Sequence, residues 1–322
     1  MIKTPKFWLK KNLISYALLP LSLLYLIGFY WCRFFARRNK ISKPVICIGN
    51  LIAGGSGKTP TAIAIGKILH DMSINFAFLS RGYMNGGVKF LMIRKVDHPN
   101  AKDVGDEPLL LSGVATTFVA KDRYFGAKQI ESMKKFQAIV LDDGMQNNHL
   151  QADYNIMVVD GTIGFGNEFM IPAGPMREPL QAGLKRADMA VVIGEMSRNL
   201  KEKLRGIKIV KAKIVPLNLE KFRGKKLIAF CGLAYPKKFF SFLKKNGLEI
   251  VKTYEFRDHH PYKTQELESM FYEAKEQGAV LITTKKDWIK FSPLFQEKIS
   301  YLDIELKFDN EEEIKNELRK IL

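Results

Sequence analysis

The segment Pro44-Val45-Ile46-Cys47-Ile48-Gly49-Asn50-Leu51-Ile52-Ala53-Gly54-Gly55-Ser56-Gly57-Lys58-Thr59 decides the fold. Residues 44–48 are an apolar run that reads as a buried strand, and apolar residues recur at helical spacing over 61–69. A strand, a glycine-rich turn, Gly-Lys-Thr and a helix together form the context of a phosphate-binding loop. Glycines let successive backbone N–H groups turn inward toward phosphate oxygens, and the helix that follows adds its positive end. The nucleotide site is therefore assigned to the backbone of Ile52, Ala53, Gly54, Gly55, Ser56, Gly57, Lys58 and Thr59. Lys58 is expected to reach the β- and γ-phosphates of ATP, and the Thr59 hydroxyl to hold Mg²⁺. The usual spacing has a glycine five residues before Gly57. Here that residue is Ile52, so Gly54 and Gly55 are expected to supply the turn.

Downstream, residues 138–141 run apolar into Asp142-Asp143-Gly144. An aspartate at such a strand tip completes a phosphate-loop site by ordering Mg²⁺ across from the loop hydroxyl. Neighbouring carboxylates also repel unless a cation lies near, so Asp142 and Asp143 are both candidate ligands. Residues 76–79 read as a strand ending at Ser80-Arg81-Gly82-Tyr83, and 118–120 as one leading to Arg123. Ligands bind at the carboxyl ends of such strands, which makes Arg81 and Arg123 candidate phosphate contacts. Gly105-Asp106-Glu107-Pro108 opens a short helix over 109–112. Residues 154–159 and 189–193 are further strands, separated by Pro172-Ala173-Gly174-Pro175-Met176-Arg177-Glu178-Pro179-Leu180, a rigid loop carrying another candidate, Arg177. Strands alternating with helices predict an α/β fold with a parallel, helix-covered sheet.

Outside this segment, composition sets the frame. The chain has 322 residues, enough for about two domains. A net charge of +18 calls for a polyanionic partner: an anionic membrane surface, a phosphorylated substrate or nucleic acid, although no nucleic-acid recognition motif accompanies it. Three scattered cysteines outline no disulfide framework. The basic run from Lys201 to Lys213 reads as a solvated connector, with a boundary near there. The expected division is 1–40, a membrane-associated segment; 41–215, a phosphate-loop nucleotide domain; and 216–322, a smaller α/β domain with strands at 226–231, 248–256, 279–283 and 301–308 and a last helix at 311–322. Within the smaller domain, Asp258-His259-His260 is a polar knot in a loop, where catalytic groups concentrate.

No charge occurs from Asn12 to Cys32, while lysines and arginines flank both ends. A span would place the four N-terminal lysines on the outer side, against the positive-inside tendency, and Pro20 interrupts the run. The expectation is a monotopic or re-entrant anchor on the cytoplasmic face, its basic flanks on anionic headgroups.

Taken together, Gly49-Asn50-Leu51, the glycine-rich loop through Pro60, Ser80-Arg81-Gly82-Tyr83, Gly105-Asp106-Glu107-Pro108, Asp142-Asp143-Gly144-Met145-Gln146, residues 174–180, Asp258-His259-His260 and Thr283-Thr284-Lys285-Lys286-Asp287 resemble the tetraacyldisaccharide 4′-kinase (lipid A 4′-kinase) family over nearly the whole chain. One departure is Asn147, where that family usually has histidine. The resemblance implies a membrane-bound kinase of lipid A biosynthesis. Such an enzyme moves the γ-phosphoryl of ATP to the 4′-hydroxyl of an acylated glucosamine disaccharide 1-phosphate, with Gln146 among the substrate contacts and no obligate protein partner. On this reading Asp106 takes the hydroxyl proton, oriented by His259, and domain closure sheds water. The rival from another class is a membrane-associated regulatory GTPase or ATPase, since Thr284-Lys285-Lys286-Asp287 superficially matches a guanine-reading pattern. Against it, Asp142-Asp143-Gly144 lacks the Asp-x-x-Gly spacing of such switches.

Overall fold

The computed structural model describes residues 5–82, 89–94, 97 and 101–322. Tyr83 and His98 lie outside the described residues. The strands in chain order are β1 (Val45–Gly49), β2 (Phe76–Ser80), β3 (Leu91–Ile93), β4 (Thr117–Val119), β5 (Ala138–Asp142), β6 (Tyr154–Asp160), β7 (Met189–Ile193), β8 (Lys208–Pro216), β9 (Lys226–Cys231), β10 (Glu249–Glu255), β11 (Val280–Thr284), β12 (Ser300–Leu302) and β13 (Ile304–Phe308). Nine of them form one sheet in the order β13-β8-β7-β6-β1-β5-β2-β4-β3, and four form a second in the order β10-β9-β11-β12.

The chain divides into two compact units. The larger holds residues 5–99, 103–214 and 306–322; the smaller is chiefly residues 215–305. Within the larger unit, β1 pairs in parallel with β5 on one side and β6 on the other. β2, β4, β7 and β8 continue the parallel pairing, while the short β3 runs antiparallel against β4 and β13 antiparallel against β8, where Leu217 N–H donates to Asp303 O and Asp309 N–H to Lys211 O. Every residue of β1 is buried, because helices cover both faces of the sheet. Val45 and Cys47 pack on one face with Ala127 and Ile130 of the helix Arg123–Ser132. Ile46 and Ile48 pack on the other with Ala62, Ile65 and Leu69 of the helix Lys58–Asp71. In the smaller unit β9, β10, β11 and β12 are parallel, between a layer containing Phe239, Phe240 and Leu243 and one containing Leu267, Met270 and Phe295.

Two expectations change. The basic run is not a connector: its first part is the helix Arg198–Lys203 and its last part is β8. Lys211 and Lys213 face solvent while Val210 and Ala212 are buried, so the lysines alternate with apolar residues at the period of a half-solvated strand. The single strand expected over 301–308 is two strands, split at Asp303, whose N–H donates to Asn218 Oδ1. β12 belongs to the small sheet and β13 to the large one. The chain thus returns to the larger unit, where Ile314 and Leu318 of the helix Glu311–Arg319 join the core of β1 and β6. Lys208 Nζ holds that helix through Glu317, at 2.7 Å.

The N-terminal segment is part of the larger unit, as two helices, Leu13–Ala17 and Leu19–Phe34. Pro20 sits in the first turn of the second, where its missing N–H breaks no intrahelical bond. No described helix is long and apolar enough to cross a membrane. These helices are inverted relative to a water-facing one. Ser15 and Ser22 are buried, while Leu13 is 88% exposed and Phe34 84%, with Leu23, Leu24, Ile27 and Trp31 also outward. Ser22 Oγ donates to Met170 O at 2.8 Å and accepts from Ala173 N at 3.1 Å, and Trp8 Nε1 donates to Pro172 O.

Candidate active site

The site forms where strand order reverses about β1, the crevice in which open α/β sheets bind ligands. β1 feeds the glycine-rich loop and its neighbour β5 ends in Asp142. The register pairs Ile48 with Asp142, so the two strand tips stand level. Sequence distance between loop and aspartate is thereby removed by one ladder of hydrogen bonds.

Gly54 takes φ +110° and Gly57 φ +89°, so the loop turns at the extra glycine as expected. Any side chain at Gly57 would also meet Ile193 Cδ1 at 2.4 Å. Ile52 is buried and bridges Met176, while Ala53 N–H donates to Pro175 O and Arg177 N–H to Leu51 O. The first two residues of the loop therefore tie it to the proline-rich strap of residues 172–180. Ser56 Oγ accepts from the Asn50 side-chain amide at 2.8 Å, both buried. Lys58 opens the helix, followed by Thr59.

The two aspartates are in unlike surroundings. Asp142 is 3% exposed, and its Oδ1 has no hydrogen-bond partner among the described residues. Burial, then the charges of Asp143 and Glu107, push its carboxyl up to about 7. Asp143 takes the left-handed φ of +54°, a sparsely populated conformation for a non-glycine residue. It lies 3.7 Å from Lys58 Nζ and accepts from Arg177 Nη1 at 2.7 Å. Burial opposes its ionisation, but Lys58 and Arg177 outweigh it and hold the carboxyl down at about 2.

Of the candidate arginines, Arg177 and Arg123 are drawn inward. Arg177 Nη1 contacts Asp143, Gln146 Oε1 at 3.0 Å and Asn50 Oδ1 at 3.4 Å. Arg123 is 7% exposed, its Nε has no hydrogen-bond partner among the described residues, and burial together with Arg81 lowers its pKa to about 10. Arg81 itself is exposed at the end of β2. Gln146 donates to Asn50 O at 2.8 Å and to Glu178 Oε1 at 2.9 Å. Asn147 makes only local turn contacts, to Leu150 O and the His149 N–H.

Asp106, 4% exposed, begins the helix Asp106–Ser112 of the larger unit. His259 belongs to the smaller unit, at φ +56°. Its Nε2 lies 3.3 Å from Lys286 Nζ and 3.9 Å from Asp258 Oδ1. Its neighbour His260 is structural, stacked on Phe256 and bonded to Glu266 Oε2 at 2.9 Å. Asp287, fully buried, accepts from Gly232 N–H, the Thr284 hydroxyl and Lys290 Nζ. Lys285 pairs with Asp303. The residues that superficially match a guanine-reading pattern thus hold the end of β11, which removes the main support for a regulatory GTPase.

Sequence reasoning assigned no role to Asn50, Glu178 or Arg186. Glu178 is 0% exposed and accepts from Arg186 Nη2 at 2.5 Å. The signals for Glu178 were a charge inside a proline-rich loop and its place in residues 174–180, which carry part of the family resemblance.

A family model described as tetraacyldisaccharide-1-P 4′-kinase matches residues 14–322. The chain is similar to the tetraacyldisaccharide 4′-kinase of Paramagnetospirillum magneticum, with 39% identity over 316 residues that cover 96% of this chain and 95% of the relative. It is 36% identical over 325 residues to that of Rhodospirillum rubrum, covering 96% and 94%. Its fold is similar to a crystal structure of LpxK from Aquifex aeolicus in complex with ATP, with a TM-score of 0.75, 27% identity and coverage of 96% and 99%. With the level strand tips, the glycine-rich loop and the strand-tip aspartates already in place, this agreement across almost the full length shows that the chain belongs to the tetraacyldisaccharide-1-P 4′-kinase family.

Proposed function

We propose that this chain transfers the γ-phosphoryl of ATP to the 4′-hydroxyl of a tetraacyl glucosamine disaccharide 1-phosphate at a membrane surface, with the following division of labour. Family membership fixes the activity as that of an ATP-dependent kinase. The observation that carries the residue roles is the level pairing of Ile48 with Asp142, which sets the loop and the aspartates across one crevice.

Amides of residues 54–59 and Lys58 hold the phosphates, while Ile52 and Ala53 anchor the loop. Mg²⁺ suits the residues present. The buried, unpartnered Asp142 Oδ1 is an oxygen ligand in want of a cation, and Thr59 supplies a hydroxyl. When bound, the ion would neutralise charge on the transferring phosphoryl group. Asp143 is held by Lys58 and Arg177 and serves to orient both. Arg81, Arg123 and Arg177 are the anion contacts for either substrate, whereas Gln146, its amide hydrogens given to Asn50 O and Glu178 Oε1, braces Arg177 instead of meeting an anion directly. Asp106 takes the proton of the acceptor hydroxyl, with His259 as its partner in the reaction.

The test is transfer of radiolabelled γ-phosphate to purified disaccharide precursor, with and without Mg²⁺. No Mg²⁺-dependent transfer by a folded sample overturns the proposal. Asp106→Ala is expected to lower kcat by about 10² or more, as loss of a general base does. A preserved kcat with a raised KM would instead make Asp106 a binding residue.

The inverted N-terminal helices support a monotopic anchor. Their outward leucines and aromatics form an apolar surface that water alone does not favour, flanked by Lys10, Lys11, Arg33, Arg37 and Arg38. The longer helix has 16 residues, about 24 Å at 1.5 Å per residue, short of the roughly 30 Å hydrocarbon core. Carbonate washing of membranes is expected to release the protein, and replacing Leu23, Leu24 and Ile27 by serine to leave it in the soluble fraction without detergent. Resistance of the native chain to carbonate argues for a true span.

A further inference from the structure

We infer that Glu178 is a positioning residue that sets the orientation of the Gln146 amide and thereby holds Arg177 on Asp143 beside the phosphate loop. The inference rests on the proposed nucleotide site, in which Arg177 and Asp143 take part.

The geometry leaves Gln146 one arrangement. Its amide nitrogen has two acceptors, Asn50 O at 2.8 Å and Glu178 Oε1 at 2.9 Å. Its Oε1 is consequently the atom turned to Arg177, and accepts from Nη1 at 3.0 Å. The same Nη1 donates to Asp143 Oδ1 at 2.7 Å. Arg177 thus reaches Asp143 from a seat defined by Gln146, and Gln146 is defined by Glu178. A carboxylate suits this place because it only accepts. Fully buried, it requires a cation, and Arg186 supplies one while also donating to Ala182 O and Met145 O. The ionic pair therefore lies behind the site rather than in it. Its consequence is directional: with Asn50 O, the Glu178 carboxylate fixes the sense of the amide that seats Arg177.

Glu178→Gln tests the direction. A glutamine can still accept from Arg186, but its amide nitrogen then faces the Gln146 amide nitrogen. Two donors cannot pair, so Gln146 either keeps Asn50 O and loses its second acceptor or turns over and loses Asn50 O, and either way its seat for Arg177 is no longer fixed. Displacement of a positioned charge by a fraction of an ångström to 1 Å lowers turnover steeply. The expected result is a kcat reduced about tenfold, with Kd for magnesium–ATP changed less than about twofold, both measured below the lowered melting temperature that loss of the buried charge beside Arg186 brings. In a Gln146→Ala background, the route to Arg177 is gone, so adding Glu178→Gln should change kcat by less than about twofold. An undiminished kcat in the single variant overturns the inference, and so does a full tenfold loss in the Gln146→Ala background. Glu178→Asp guards against a variant that does not fold. It keeps the charge for Arg186 but withdraws the oxygen from Gln146 by one methylene, and native kcat in it also overturns the inference. A wild-type chain without Mg²⁺-dependent transfer overturns the proposed function itself. An active wild type with an unaffected Glu178→Gln variant overturns only the role of Glu178.

Discussion

Lys58→Ala is expected to lower kcat/KM for phosphoryl transfer by about 10³, the loss that follows removal of one preorganised charge from a developing anion. The lysine is already aimed. It opens the helix Lys58–Asp71 with its Nζ 3.7 Å from Asp143, and its side chain is 16% exposed. Little reorganisation is then left for the moment of reaction. Fold should survive, because Asp143 keeps Arg177 and the helix buries its apolar face independently of Lys58. Circular dichroism and calorimetric titration with magnesium–ATP check both halves. Lys58→Arg should not restore activity, since a planar guanidinium does not reproduce a compact ammonium in a loop sized by glycines. A Lys58→Ala enzyme within tenfold of wild type would remove the phosphate loop from the mechanism.

Asp142→Asn is expected to lower kcat by about 10²–10³ while making the nucleotide-free protein more stable at pH 8 in metal-free buffer. The sign follows from burial. The folded carboxyl, pushed up to about 7 by desolvation and then by Asp143 and Glu107, lies above its ordinary 3.8. Between those values the native state binds more protons than the unfolded one, so stability falls as pH rises from about 4 to about 7 and stays low above. Asparagine does not ionise and escapes the penalty, on the order of 4 kcal/mol at pH 8. The gain should shrink toward pH 4. Asp143 behaves oppositely: held at about 2, it adds stability above its ordinary value, and that is lost as pH falls through about 2. Thermal melts of Asp142→Asn and wild type at several pH values, without metal, check this. An asparagine variant less stable than wild type at pH 8 shows that the Asp142 carboxylate is compensated in the fold.

Local chemistry made much of this molecule legible. The strand-loop-helix of residues 44–69 is a contiguous pattern, and the shift of the turn from residue 52 to Gly54 could be foreseen because only glycine accepts that φ cheaply. Asp142 and Asp143 were visible as a pair at a strand tip, but not their difference. That difference arises because the last residue of β5 buries its carboxyl, while the next residue turns left-handed toward Lys58 and Arg177. The N-terminal run was legible as apolar. Its inversion, with Ser22 inward on Met170 and Ala173, depends on contacts about 150 positions away.

By itself, then, the sequence determined the glycine-rich strand-loop-helix, the alternation of strands and helices and the apolar N-terminal run, because each is written in neighbouring residues. Tertiary structure decided the rest. Only strand pairing reveals that β8 is sheet and that the chain leaves the smaller unit at β13 to return to the larger. Only burial reveals Glu178 as an oriented charge behind the site. Hydrogen bonds and ion pairs between distant residues leave no periodicity in a chain. Their energies come from desolvation and geometry, which exist once the backbone has brought the partners together.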